Sequence, residues 1–227
     1  MTIQAINTYY SGHHFRSRLE ARWAHVFNDL GIRWEYEPQG YHVGESRRPY
    51  LPDFHLPDIG WWVEVKGSQD WLDLTLLADA VHPTKGLGPD GGSTNLLILG
   101  QIPDTNGAAP LHHSVTRGAY CDELLRSPLH RCSDECTFPP ALFGLSWLMA
   151  ANDLERLGAD LGAMKARDLE TFQRWGAMPI PVGRASTKPP KGDLTKPMLH
   201  PGIPVGPHLE AAYTLGRTAR FEHGEAA

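Results

Sequence analysis

The residues of this chain best suited to chemistry lie in "YLPDFHLPDIGWWVEVKGS", residues 50–68. Asp53 follows a proline, and Glu64 and Lys66 stand two apart inside an apolar run. Alternate residues of a strand point to the same face, so Glu64 and Lys66 share one side while Val63 and Val65 take the other. Charge set among Trp, Val, Leu and Phe is costly unless it is paired or used. Cleaving a phosphodiester requires a divalent cation to neutralise developing charge and generate hydroxide, and Mg²⁺ takes hard oxygen ligands. Asp53 and Glu64, on neighbouring strands, would supply two carboxylates, and the main-chain carbonyl of Val65 a third oxygen. Lys66 would orient the attacking water or stabilise charge on the phosphate. The competing reading is a cross-strand salt bridge on a solvated face, which contributes little.

Flanking segments must bring these side chains together. Phe15, Leu19, Trp23, Val26, Phe27 and Leu30 recur at three- and four-residue steps. They predict an amphipathic helix over 13–30, with Ser11 as cap and Gly31 as stop. "IRWEYEPQ" reads as a first strand, and residues 40–57 as a hairpin whose return strand carries Asp53. "GWWVEVKGS" is the next strand, residues 70–81 a short helix opened by Asp70, and "TNLLILGQI" a buried strand after a Gly/Pro-rich loop. The order helix, three strands, helix, strand predicts an α/β core over 1–103 around one central mixed sheet. Beyond it, 104–140 reads as a Cys/His-containing insertion or edge element, with "HHSVTRGAY" as an edge strand. Residues 141–176 read as a mostly helical C-terminal extension, 177–207 as a Pro/Gly-rich linker, and 208–227 as a closing helix.

Composition narrows the partners. The 227 residues carry 21 basic and 26 acidic side chains, a net charge of −5, so a globally basic nucleic-acid binder is not indicated and any polyanion must be met by a local patch or a metal. An odd number of cysteines, three, fits no self-contained disulfide framework and suggests a reducing compartment. No signal-peptide core and no run long enough to span a bilayer is evident, so the expected location is the cytoplasm, without a membrane partner.

Pro52-Asp53, ten intervening residues, then Glu64-Val65-Lys66 resembles the signature of the PD-(D/E)XK nuclease superfamily. The resemblance covers residues 13 to about 102 and implies a restriction-endonuclease-like core. It implies a deoxyribonuclease dependent on Mg²⁺ or Mn²⁺, with Asp53, Glu64 and the Val65 carbonyl on the metal and Lys66 at the nucleophilic water. The family also places a glutamate on the helix before the sheet. Glu20 matches that position, where it would support a second metal or a metal-bound water; otherwise it pairs with Arg16 or Arg22 on the helix surface. RecB-like members carry a glutamine followed four positions later by tyrosine, whereas here Gln69 is followed by Asp73, which argues against that branch. The overall form is similar to small phage or prophage nucleases. DNA is then the expected partner, with a homodimer or a phage or host replication–recombination protein as further ones, in the host cytoplasm if the gene is a phage's.

Arg16, Arg18, Arg22, Arg33, Arg47 and Arg48 gather in sequence around the expected site, and Arg16, Arg18, Arg47 and Arg48 are the candidate DNA contacts. Tyr9, Tyr10 and Trp61 are candidates for base stacking or for packing, and His55 for assisting the metal. The adjacent pairs His13-His14 and His112-His113 diverge too much to chelate together. Cys121, His130, Cys132 and Cys136, or the same cysteines with His113 in place of His130, offer a structural Zn²⁺ site or unrelated thiols. Two other functional classes stay open from the residues alone: a DNA-binding module of the same fold that cuts nothing, and a phage structural or interaction protein.

Overall fold

The apolar spacing of the first helix is realised, but the helix starts later than periodicity suggests. In the computed structural model, which describes residues 6–58, 60–82, 84–88, 94–116, 141–144, 180–181, 193–205 and 207–221, helix α1 spans Arg18–Asp29. Ser17, not Ser11, caps it, its hydroxyl accepting from the Glu20 amide at 3.2 Å. Ser11 and Gly12, at φ 49° and 82°, instead form the turn between strands β1 (Thr8–Tyr10) and β2 (His13–Phe15). Two consecutive positive φ values make the tight turn that matches strand twist, which no helix start can accommodate. Gly31 ends α1 as expected, in the left-handed conformation at φ 68°.

Next come β3 (Glu35–Tyr36), a separate hairpin of β4 (Tyr41–Val43) and β5 (Arg48–Tyr50), then β6 (Phe54–Leu56) and β7 (Trp61–Val65). After a single 3-10 turn, Gln69–Trp71, come α2 (Leu74–Ala80), β8 (Asn95–Leu99) and β9 (Ala108–Thr116). The remaining elements among the described residues are β10 (Ala141–Gly144), β11 (Ile180–Pro181), β12 (Met198–Pro204) and α3 (Pro207–Thr218). The main sheet runs β11-β10-β9-β8-β7-β6-β3, with β12 also pairing β9. β7 and β8 are parallel, joined through α2; the other described pairings are antiparallel, so the sheet is mixed as expected. Among the described residues no helix is long and apolar enough to cross a membrane.

Alternation along β7 and β8 divides the core. Trp61, Val63, Val65, Leu97 and Leu99 pack with Trp23, Phe27, Leu209 and Tyr213 of α1 and α3, while Trp62, Leu96 and Ile98 pack with Val43, Tyr50, Leu77 and Ala80 of the hairpin and α2. The central strands are therefore apolar on both faces. Their one buried charge, Glu64, lies on the Trp62 side of the alternation.

Four expectations about the elements change. Asp53 does not ride the hairpin's return strand: β4 and β5 close on each other, and Asp53 sits in the bend leading to β6, after Leu51 and Pro52 have interrupted the pairing. The segment assigned to a linker, 177–207, contains β12, whose Met198, Leu199 and His200 pair with Leu111, Pro110 and Ala109. Proline density was a poor guide there because a sheet edge tolerates residues that donate nothing to the ladder. Likewise "HHSVTRGAY" falls partly on β9, which is flanked by strands on both sides rather than lying at an edge, and β10 opens the stretch expected to be helical. Cys121, His130, Cys132 and Cys136, and the expected helices over 145–176, lie outside the described residues.

The terminal helix is tied to the sheet by a buried polar pair. His112 Nε2 and the Tyr213 hydroxyl are 3.1 Å apart, with Trp23 edge-on to both rings. Full burial holds His112 neutral, its pKa pushed down to about 3. Tyr213→Phe removes only the hydroxyl and takes this partner from a buried ring nitrogen, so we expect a loss of about 1–3 kcal/mol. Urea unfolding should show a lower midpoint with an unchanged slope; an unaltered midpoint would mean that the pair contributes nothing to the docking of α3.

Candidate active site

Strand geometry delivers Asp53, Glu64 and Lys66 to one place. Phe54 pairs with Val63 across β6 and β7, so Asp53, one residue before β6, lies beside the last residues of β7. Its carboxylate is 1% exposed. Oδ2 accepts the Val65 amide at 2.7 Å and faces Lys66 Nζ at 3.4 Å, while Oδ1 accepts from the Arg16 guanidinium at 3.1 Å. Glu64 is also buried, with Oε1 2.6 Å from Lys66 Nζ and Oε2 accepting the Tyr50 hydroxyl at 2.7 Å. The Lys66 ammonium additionally donates to the Val65 carbonyl at 3.3 Å. Thus the three oxygen groups expected to hold a cation all lie within reach of one positive nitrogen.

Electrostatics here are those of like charges confined together. Burial, then the facing Glu64 carboxylate, raises the Asp53 pKa to about 7; Glu20 adds to the rise, and Lys66 and the Val65 amide oppose it. For Lys66, burial disfavours the ammonium, but Asp53 and Glu64 outweigh that and the net shift is upward. Lys66 is therefore a cation throughout the neutral range, a donor and counter-charge rather than a proton acceptor. The Tyr50 hydroxyl is raised well above its usual pKa, by burial first and then by Glu64, so it stays a donor to that carboxylate.

Glu20 lies close by, in a different set of bonds. It occupies the third position of α1, where its Oε1 accepts the Ser17 hydroxyl at 2.7 Å and its Oε2 accepts the Tyr36 hydroxyl at 2.7 Å and the Arg16 amide at 3.1 Å. This is a variant of the capping box, in which the glutamate takes the amide of the residue before the cap, extended by a tyrosine. Neither Arg16 nor Arg22 forms a surface ion pair with it. Arg16 links the two halves of the site, its amide on Glu20 and its guanidinium on Asp53 and Glu37. Among the described residues no three His, Cys, Asp or Glu side chains form a group that could hold a metal ion. The donor set is thus two carboxylates and a carbonyl, hard oxygens of the type and number that Mg²⁺ or Mn²⁺ takes when water and substrate complete its shell. The buried repulsion at Asp53 is what such a cation would relieve.

Other nominated residues are more dispersed. Arg48 is paired with Asp73 and half-exposed, and Arg47 is exposed in the β4–β5 turn at φ 51°. Arg18 opens α1, Arg33 pairs with Asp58 at 2.8 Å, and Arg22 reaches the Ala219 carbonyl. His55 is held by Glu35 at 2.9 Å and lies against Trp62, so it joins neither Asp53 nor Glu64. Trp61 is core, Tyr10 is engaged with His25 and Asn28, and Tyr9 is exposed against His14. An open cleft of about 570 Å³ lies at the other end of β3, lined by His13, Asn28, Arg33, Trp34 and Glu35 among others, and includes none of Glu20, Asp53, Glu64 and Lys66. Tyr36 and Tyr50 were missed by sequence reasoning. Each could have been suspected only as an amphipathic ring beside charged residues in a short strand, a weak signal. The capping box was a stronger one: Ser17-x-x-Glu20 stands in the sequence and fixes where α1 begins.

The raised Asp53 pKa has a definite sign in stability. A carboxyl that holds its proton more tightly when folded than when unfolded favours the folded state fully below its unfolded pKa, near 4, and that contribution is lost as pH rises through about 7. In metal-free buffer, Asp53→Asn should therefore melt higher than the parent at pH 8, with the advantage shrinking toward pH 4. Parallel thermal melts across that range check it, and an Asn variant that melts lower at pH 8 would contradict the electrostatic account. Comparisons with protein-family models, with curated proteins and with solved structures find no match to this chain, so the functional reading rests on the geometry of the site.

Proposed function

We propose that this protein is a metal-dependent nuclease that hydrolyses DNA phosphodiester bonds, an endonuclease of phage or mobile-element DNA processing. The observation that carries the reading is the convergence of Asp53, Glu64 and the Val65 carbonyl on the Lys66 ammonium, in a pocket of buried acidic charge. Topology supports it. α1, β3, β6, β7, α2 and β8 follow in the order of a restriction-endonuclease-like core, with β3–β6–β7 antiparallel and β7–β8 parallel.

Asp53 and Glu64 would hold Mg²⁺ or Mn²⁺ together with the Val65 carbonyl. Such an ion, when bound by these groups, would supply charge neutralisation at the scissile phosphate and Lewis-acid activation of water. Lys66, held as a cation by its two carboxylate neighbours, donates to the attacking water or to a phosphate oxygen as charge builds. Tyr50 fixes the rotamer of Glu64 by its hydrogen bond, and the Val65 amide does the same for Asp53. Glu20 acts on Asp53 through its field and through Arg16, and would orient a second water or ion. Arg16 is the basic side chain best set to exchange Asp53 for a phosphate, since its guanidinium reaches the buried carboxylate while the side chain as a whole is more than half exposed.

The test is cleavage of end-labelled single-stranded, duplex and branched DNA with Mg²⁺ or Mn²⁺. The parent should cut at least one of these substrates, with Lys66→Ala and Asp53→Ala each reducing the rate by about 10²-fold or more. Binding without cutting under either metal would favour the catalytically silent module, and neither binding nor cutting a structural or interaction protein.

A further inference from the structure

Five residues beyond Lys66 the chain presents Trp71, 56% exposed. Its ring lies near the residue that follows Lys66. A Cβ built on Gly67, the residue after Lys66, would lie 3.7 Å from Trp71 Cζ3 and 3.9 Å from Leu19 Cδ2. The indole thus lies over the backbone joining Lys66 to the 3-10 turn and beside the neighbour of Glu20. Leu51, two residues before Asp53, is also exposed, at 37%.

The turn that carries Trp71 is firmly held. Ser68 caps it, accepting from the Asp70 amide at 3.3 Å; the Trp71 and Leu72 amides donate to Ser68 and Gln69 carbonyls at 3.2 and 2.9 Å; and the Gln69 side chain accepts from the Leu194 amide. An aromatic ring fixed by its backbone yet left to solvent loses little conformational freedom when a flat partner covers it. The ligand of the adjacent pocket, on the nuclease reading above, carries flat aromatic bases one backbone unit from each phosphate. Stacking requires a free base face. Inside a continuous duplex both faces are covered by neighbours, whereas a single strand or a frayed or branched end offers one.

We infer that Trp71 stacks on an unpaired nucleobase next to the scissile phosphate, so that the site favours single-stranded or frayed DNA over continuous duplex. This inference rests on the nuclease reading. Fluorescein-labelled oligo(dT) and a blunt-ended duplex of equal length are titrated with the full chain in Ca²⁺ buffer, with anisotropy as the readout. The expected result is tighter binding of oligo(dT), weakened about tenfold or more by Trp71→Ala and largely retained by Trp71→Phe, with duplex binding little changed. An abasic oligonucleotide of the same length should bind parent and Trp71→Ala equally, which a merely structural role for Trp71 would not produce. Oligo(dT) binding that is indifferent to Trp71→Ala overturns the inference and leaves the nuclease reading standing if the parent still cuts DNA with Mg²⁺ or Mn²⁺. A parent that binds neither DNA overturns both.

Discussion

Two carboxylates buried within reach of a single ammonium set the terms for the rest of the molecule. Glu64 enters the sheet because β7 is covered on both faces, and Asp53 is brought to it by the pairing of Phe54 with Val63. Neither acid would tolerate that burial alone. Lys66, the Val65 amide, Tyr50 and Arg16 each supply a partner, and even so Asp53 is left with a proton affinity far above that of an ordinary aspartate. Stability has been given up locally, and the two apolar layers around α1 with α3 and around α2 with the hairpin make it good elsewhere.

Much of the central arrangement was legible because it follows from short-range rules. Period-two spacing placed Glu64 with Lys66 and apart from Val63 and Val65, and the continuous apolar run of residues 96–99 declared a strand buried on both sides. The order of helix and strands came from the same patterns. What failed were places where geometry depends on partners far away. The apolar residues near position 15 fit a helix as well as a strand, and only the Ser11-Gly12 turn separates the two. The proline-rich 198–204 segment gained its strand from β9, a partner about ninety residues earlier, which no local window contains. The Arg16 contact to Asp53 was likewise hidden: a guanidinium near a phosphate-binding site reads as a phosphate ligand, and nothing in the sequence says that it first neutralises an acid.

Around the pocket, charge is balanced in layers. Lys66 answers Asp53 and Glu64, Arg16 answers Asp53 and Glu37, and the uncharged donors Ser17, Tyr36 and Tyr50 fill the remaining oxygens of Glu20 and Glu64. Four carboxylates against two cations leave the locality negative, in keeping with the chain's overall −5. A polyanion could approach such a place only if further positive charge came with it or if arginines changed partners.

The packing of α3 carries an implication for how the protein comes into being. This helix lies on the face of α1 away from solvent, with Gly216 so close to Val26 that an added methyl would fall 2.5 Å from its Cγ2, and with Arg22 bonded to Ala219 across 197 positions of sequence. A growing chain emerging from the ribosome would hold α1 long before its cover exists, with Trp23 and Phe27 wet in the interval. Closure between segments so widely separated is entropically late. The half-made polypeptide would thus present a greasy surface to chaperones, and the layer behind its acidic pocket would close only after α3 has been made.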